Sequence, residues 1–256
     1  MNWIKLVAPD TWTGKILVTG RMLVDIGLML AHQRSRAAWR FARIILMLKP
    51  RFTMVTNGNL LNLYRLVAQA NQAQLAGALV ECGVWNGGSA AMMRLADVDQ
   101  SQADGLRTMW LFDSFQGLPR PGERDGQSER NGYFVGMNRG CIDNVQAAFR
   151  RLHVPFAQVK VIPGWFNDTL ASVPVESIAL LHVDADWYDS VKIVLDVFYD
   201  KVTPGGYIVL DDYGYWQGCN RAVAEFLSER GLGKIELVRT DRVGAYFRKP
   251  RGTDGA

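Results

Sequence analysis

The stretch "LHVDADWYDS", residues 181–190, is an apolar run that ends in three carboxylates, Asp184, Asp186 and Asp189. The run has the length and composition of a buried strand. The residues that follow it, "SVKIVLDVFYDKV", carry apolar side chains at helical spacing. Carboxylates crowded at the end of a strand repel one another. The stretch therefore predicts a strand-to-helix turn at which something offsets that repulsion.

A second apolar run, "GGYIVLDDY" (205–213), ends in Asp211 and Asp212. Strand-like runs alternate with helical patterns along most of the chain, which predicts an α/β protein with a mostly parallel sheet and helices on both faces. The last two runs are joined only by "TDRV", so we expect them to form an antiparallel hairpin. The predicted strands are 78–82, 108–113, 159–163, 177–184, 206–211, 234–239 and 244–249.

Three of the carboxylates, Asp184, Asp211 and Asp212, follow strands that we expect to be neighbours, so they should meet at one edge of the sheet. A carboxylate cluster with neither a thiolate nor an imidazole beside it suits a hard divalent cation such as Mg²⁺ or Ca²⁺. Such a cation would offset the repulsion between the carboxylates. The structural alternative is N-capping at two successive turns, and it accounts poorly for four carboxylates on two strands.

The other carboxylates of the first stretch have different expected roles. Asp186 lies two residues beyond Asp184 and points to the same side if the chain stays extended, so it is placed to act as a base. We expect Asp189 to cap a helix that begins near Ser190. Nearby aromatic residues suit a sugar or an aglycone, although packing is their commoner use. They are Trp187, Tyr188, Tyr213, Tyr215 and Trp216.

The segment "VECGVWNGGSA" (80–90) follows a predicted strand and opens a helix, with Ser89 as a candidate N-cap. Its glycines allow a tight turn and a close approach to a ligand. The spacing is not GxGxxG and the P-loop lysine is absent, so a dinucleotide or a triphosphate is not the first expectation. Asp113 ends the next strand, where a carboxylate can accept hydrogen bonds from ribose hydroxyls. These features predict a nucleoside-type site; the alternative is a tight turn that Asp113 caps.

The chain has 256 residues, which suits one α/β domain with an additional segment. The three cysteines, Cys82, Cys141 and Cys219, are scattered and form no CxxC, so neither a disulfide framework nor a thiolate zinc site is expected. Only three histidines are present, which argues against a His-rich metal site. No signal peptide is evident, and we expect a reducing, cytoplasmic setting.

Residues 1–52 hold nine Lys or Arg residues against two Asp or Glu. Their apolar stretches are interrupted by charges, which argues against a transmembrane helix. The stretch "AAWRFARIILMLKPR" (37–51) has helical spacing and suits a membrane surface, packing on its own domain, or a contact in a homodimer or larger homo-oligomer. Pro50 is expected to end this helical region. We therefore separate a basic helical segment, 1–52, from a main domain, 53–256, and expect no nucleic-acid partner.

A long stretch without periodicity, "PRPGERDGQSERNGYFVGMNRG" (119–140), follows the second predicted strand. A loop of this length inside a compact domain is usually functional or mobile. Its position after a strand places it over the carboxyl edge of the sheet, where ligands of open α/β sheets bind.

Five motifs in this order resemble the metal-dependent sugar O-methyltransferases of the macrocin O-methyltransferase type, over residues 52–230. They are "LVECGVWNGGSA", "LFDSFQGLP", "GWFNDTL", "LHVDADWYDS" and "VTPGGYIVLDDY". The resemblance implies a Rossmann-like class I methyltransferase fold with a mostly parallel seven-stranded sheet and an antiparallel C-terminal hairpin. It implies S-adenosyl-L-methionine as methyl donor, a Mg²⁺ ion, and a glycoside or polyol acceptor with neighbouring hydroxyls. Ala185 departs from the family pattern, which usually has glycine there.

The resemblance also implies roles for individual residues. Asp186 is the implied base, and the implied metal ligands are Asp184, Asp211 and Asp212. The implied cofactor contacts are Glu81, Gly83, Gly87, Ser89, Asp113, Ser114, Gly164 and Trp165.

Two other functions fit parts of the sequence. A metal-dependent glycosyltransferase could use the DxD pattern of Asp184 and Asp186 to bind a nucleotide-sugar, although the turn at Glu81 and the second acidic pair favour the methyltransferase. A non-enzymatic membrane-surface or scaffold protein could use the basic segment 1–52.

Overall fold

The computed structural model describes residues 20, 23, 24, 27, 35–100, 105–131 and 134–251. Most of the basic segment before residue 35 lies outside the described residues, and so do the expectations for its apolar stretches. The strands are β1 (Ala78–Cys82), β2 (Met109–Asp113), β3 (Val159–Pro163), β4 (Ile178–Val183), β5 (Val202–Leu210), β6 (Val238–Arg239) and β7 (Ala245–Arg248).

The strands form one seven-stranded sheet in the order β3-β2-β1-β4-β5-β7-β6. Strands β1 to β5 pair in parallel with one another, and β7 is antiparallel to both β5 and β6. The predicted class, mostly parallel order and C-terminal hairpin are confirmed. Strand β6 covers only two of the six residues predicted at 234–239, because it is an edge strand and pairs with β7 at two positions.

Helices cover both faces of the sheet. Among residues 35–251, the described α-helices are α1 (Arg36–Leu48), α2 (Asn57–Gln72), α3 (Gly88–Gln100), α4 (Ile142–Arg151), α5 (Phe166–Thr169), α6 (Tyr188–Phe198) and α7 (Gln217–Glu229). Successive residues of β1 point to opposite faces. Leu79 joins the apolar cluster beneath α1 to α4, whereas Val80 joins the cluster beneath α6 and α7. Burial on both faces explains why the central strands are almost continuously apolar.

Helix α1 packs into the same core as the sheet. Its buried face includes Phe41, Ile45 and Leu48, which share one cluster with Leu79 of β1 and Leu180 of β4. The helix ends at Leu48, two residues before Pro50, as the proline predicted. Across the described ranges, no helix is both long enough and apolar enough to cross a bilayer.

The packing of α1 generates a paired prediction. Ile45 is fully buried, so Ile45→Ala should lower the free energy of unfolding by about 2–5 kcal/mol, through lost burial and a residual cavity. Leu46 on the same helix is 47% exposed, so Leu46→Ala should change it by no more than about 0.5 kcal/mol. Urea unfolding of both variants measures the difference. Equal, small losses would show that α1 is not part of the folding unit.

Candidate active site

A cavity of about 580 Å³ opens at the carboxyl edge of the sheet. Four of its lining residues stand at or just after the ends of successive strands in the sheet, from β3 at one side to β4 at the other. These residues are Gly164, Asp113, Gly83 and Asp184. The position agrees with the rule that ligands bind at the carboxyl ends of strands in open α/β sheets.

The glycine-rich turn after β1 is fixed by Asp113. Oδ2 of Asp113 accepts hydrogen bonds from the amides of Val84 and Trp85, each at 2.8 Å, and Oδ1 accepts one from the Phe115 amide at 2.7 Å. Gly83 has φ +92°, and a Cβ at this position would overlap the backbone oxygen of Asp184. The turn therefore needs glycine here, and its backbone lies directly against the end of β4.

The carboxylates after β4 and β5 do come together. Asp184, Asp186 and Asp212 can each offer an oxygen such that all three oxygens lie within 4.8 Å of one another. A second group at the same spacing combines Asp184 with Asp211 and His182. The expectation that no imidazole lies beside the cluster was wrong, since the buried His182 precedes Asp184 by two residues on the same strand.

Asp186 reaches the cluster by a different backbone route from the one expected. Its φ is +55°, so the chain turns there instead of staying extended. Oδ1 of Asp186 accepts a hydrogen bond of 2.6 Å from the indole Nε1 of Trp216. Trp216 is 7% exposed and its ring packs against Trp187, which lines the cavity. The indole thus fixes the orientation of the Asp186 carboxylate.

A buried polar network lies beneath the carboxylates. Glu81 and His182 are paired in adjacent strands, and Oε1 of Glu81 lies 2.8 Å from Nδ1 of His182. Nε2 of His182 lies 4.0 Å from Oδ1 of Asp211, too far for a hydrogen bond, and that oxygen accepts a hydrogen bond from Asn59 Nδ2. Burial opposes the charge on His182, but the hydrogen bond with Glu81 and the charges of Asp211 and Asp212 outweigh it, so the pKa of His182 is raised. A protonated His182 would offset part of the carboxylate repulsion.

The structure places the predicted cofactor residues in two groups. Those that line the cavity are Gly83, Asp113, Ser114, Gly164 and Trp165. Glu81, Gly87 and Ser89 do not line it. Glu81 is fully buried against His182. Gly87 has φ +79°, and a Cβ at this position would clash with the Cα and the side chain of Val145.

Two predicted helix caps were wrong. Helix α3 begins at Gly88, so Ser89 is already inside it. Helix α6 begins at Tyr188, which places Asp189 in its first turn, and Asp189 also lines the cavity. The N-cap position of α6 is Trp187, whose side chain makes no capping hydrogen bond.

The long loop lies over the site as its position predicted. Residues 119–131 and 134–140 contain turns but neither helix nor strand. Pro119, Arg120 and Gly122 of this loop line the cavity. It therefore forms one wall of the site.

Several residues that shape the site were not found from the sequence. His182 had a visible signal, because it is a polar residue inside an otherwise apolar strand. Asn59, on α2, and Asp125, in the loop, had none, since each reaches its partner through contacts distant in sequence. In the sequence Trp216 is one of several aromatic residues near the acidic strand ends, and its hydrogen bond to Asp186 depends on the tertiary fold.

Comparison with known proteins identifies relatives over most of the chain. Residues 39–249 match the family model described as Macrocin-O-methyltransferase (TylF). The demethyldecarbamoylnovobiocin O-methyltransferase of Streptomyces niveus is 35% identical over 202 residues, which cover 78% of this chain and 76% of that protein.

Two further similarities extend the comparison. The 8-demethyl-8-(2,3-dimethoxy-alpha-L-rhamnosyl)-tetracenomycin-C 4'-O-methyltransferase of Streptomyces olivaceus is 32% identical over 199 residues, which cover 77% of this chain and 75% of that protein. The solved structure of the O-methyltransferase NovP superposes with a TM-score of 0.71 at 34% identity, and the match covers 78% of this chain and 83% of that one.

The close approach of Gly83 to β4 can be tested by substitution. Gly83→Ala should lower the free energy of unfolding by about 1–3 kcal/mol or more, because the added methyl group displaces the Asp184 backbone. Gly105→Ala is the matched control, since Gly105 also has a positive φ (+86°) but no atom of the described residues lies within 4 Å of a Cβ there. Thermal unfolding compares the two variants. Equal losses would mean that backbone strain alone, rather than this contact, explains the glycine.

Proposed function

Since this chain belongs to the macrocin O-methyltransferase family, and is therefore an O-methyltransferase, we propose that it methylates a hydroxyl of a sugar or glycosylated natural product, with S-adenosyl-L-methionine as donor and Mg²⁺ as metal. The observation that carries the proposal is the grouping of Asp184, Asp186 and Asp212 beside the glycine-rich turn. We propose a sugar acceptor because the name of one relative contains a rhamnosyl sugar. Membership of this family argues against the glycosyltransferase and the purely non-enzymatic scaffold.

The donor would occupy the part of the cavity nearest β1, β2 and β3. S-adenosyl-L-methionine supplies an electrophilic methyl group on a sulfonium. Each carboxylate oxygen has more than one lone pair, so Asp113 can accept from a ribose while it holds the loop amides. Gly83 permits close backbone approach, and Gly164 and Trp165 follow β3 on the far side of the cavity. Ser114 adds a hydroxyl at the same rim.

The donor set fits a hard divalent cation. The three grouped side chains offer only carboxylate oxygens, which Mg²⁺ prefers. Asp184 and Asp212 of this group would hold the ion together with Asp211, which belongs to the second group with Asp184 and His182 and whose position is fixed by Asn59. When bound, such an ion would act as a Lewis acid and lower the pKa of a sugar hydroxyl.

Asp186 would take the proton from the acceptor hydroxyl. The Trp216 indole holds its Oδ1 and so keeps the carboxylate turned toward the cluster, at the cavity wall. The loop wall and Trp187 would exclude water and orient the acceptor, which supplies much of the rate enhancement in a two-substrate reaction.

The direct test is a methyl-transfer assay with S-adenosyl-L-methionine over a panel of glycosides and catechols. We expect transfer to a glycoside with neighbouring hydroxyls, loss of transfer with EDTA, and recovery on addition of Mg²⁺. Asp184→Ala should lose activity that added Mg²⁺ does not restore, because a metal ligand is missing. Transfer that is insensitive to EDTA would contradict the metal, and transfer only to catechols would contradict the acceptor class.

The proposed base has its own test. Asp186→Asn should bind S-adenosyl-L-methionine and Mg²⁺ with near-normal affinity in calorimetry, yet lose about 10²–10⁴-fold in kcat, because the amide cannot accept the proton. Asp143→Asn is the control, since Asp143 is an exposed carboxylate on α4 away from the cavity. A near-normal kcat for Asp186→Asn would show that another group is the base.

A further inference from the structure

The two helices that follow the acidic strand ends begin without caps of their own. The N-cap residues of α6 and α7 are Trp187 and Trp216, and neither side chain makes a capping hydrogen bond. A helix leaves its first amides unsatisfied unless another group accepts from them. These helix starts matter because the segments before them carry the site: residues 184–187 join β4 to α6, and residues 211–216 join β5 to α7.

Asp125, from the loop wall, supplies the missing acceptor for α6. Its Oδ1 accepts a hydrogen bond of 2.8 Å from the Tyr188 amide, and its Oδ2 accepts one of 2.7 Å from the Gly122 amide. The residue is 4% exposed. Gly218, in the first turn of α7, has no room for a Cβ because the same carboxylate lies against it. Asp125 therefore lies between the starts of both helices.

Glu129, four residues later in the loop, does the same for α7. Its Oε1 accepts a hydrogen bond of 3.2 Å from the Gln217 amide, and its Oε2 accepts one from the Gly126 amide. The residue is 2% exposed. Burying a carboxylate costs free energy unless it accepts hydrogen bonds. Here the two buried carboxylates accept from helix amides that would otherwise lack partners, at the positive end of each helix dipole.

Other contacts hold residues 119–131 against the same two helices. Arg124 pairs with Glu225 of α7 at 2.7 Å and stacks over the ring of Tyr188 of α6. The indole Nε1 of Trp187 donates a hydrogen bond of 3.0 Å to the backbone oxygen of Pro119. The loop thus contacts both helix starts while its own residues line the cavity.

We propose that Asp125 and Glu129 are positioning residues: they cap α6 and α7 from the loop and so set the spacing between the Asp184–Asp186 segment and the Asp211–Asp212 segment. The inference rests on the proposed function for its chemistry. Neither residue takes part in proton or methyl transfer. Each residue fixes the first amide of one helix by a hydrogen bond. By fixing that amide, it also positions the carboxylates that precede the helix by a few residues.

The test uses the full-length protein and Mn²⁺ as a spectroscopic substitute for Mg²⁺. Asp125→Ala should weaken Mn²⁺ binding and lower kcat by about 10-fold, in the range seen when partners around metal ligands are removed. The KM for S-adenosyl-L-methionine should stay within about twofold, because the donor side of the cavity is built on β1 to β3. Hydrogen exchange at the Tyr188 amide should quicken. Glu129→Ala should have the same effects, with the faster exchange at Gln217.

Conservative and control variants separate positioning from stability. Asp125→Asn keeps an oxygen that can accept a hydrogen bond from the Tyr188 amide, so it should recover part of the Mn²⁺ affinity. If Asp125→Ala does not fold, the same measurements can be made on Asp125→Asn. Asp143→Ala removes a carboxylate from the first turn of α4, and should leave Mn²⁺ affinity and kcat unchanged.

Two outcomes decide the matter. A lower melting temperature for Asp125→Ala with unchanged Mn²⁺ affinity and kcat would overturn the inference, because the cap would then serve only stability. Wild-type protein that binds Mn²⁺ but transfers no methyl group would overturn the proposed function alone. In that case the ratio of Mn²⁺ affinities between variant and wild type, with amide exchange, would still test the positioning role.

Discussion

Val183 and Leu210 are paired in adjacent parallel strands, so the residues after them leave the sheet side by side. This register places Asp184 next to Asp211, and the rest of the site follows from that placement. Negative charges this close need compensation. His182 lies beneath them with a raised pKa, and in its protonated form it would supply part of that compensation, while the proposed metal would supply the remainder. Asn59 and Trp216 then orient individual carboxylates by hydrogen bonds.

The network also shows how the two sides of the cavity are connected. Glu81 belongs to the strand that carries the glycine-rich turn, but its side chain faces His182 of the neighbouring strand. Gly83, two residues later, lies against the backbone of Asp184. The proposed donor side and the proposed metal side are therefore joined by a buried side-chain pair and by a backbone contact.

The sheet and the carboxylates after β4 and β5 could be predicted because the sequence patterns that indicate them are local. Strands buried on both faces are continuous apolar runs, and the carboxylates stand where those runs end. The caps could not be predicted, because α6 and α7 take their acceptors from Asp125 and Glu129, which lie 63 and 88 residues away along the chain. An extended chain at Asp186 predicts its place in the cluster, but the backbone turns there, and its positive φ could not be inferred from the residue type. The division of the chain at residue 52 remains a prediction, although α1 shares the core of the sheet.

The hydrogen bond between Asn59 and Asp211 joins residues that are 152 positions apart. Contacts of such long sequence separation form slowly, because the intervening chain must first lose its freedom. Asn59 lies on α2, near the start of the described domain, and Asp211 follows β5, near its end. The carboxylate cluster is thus completed only when the two ends of the domain have docked.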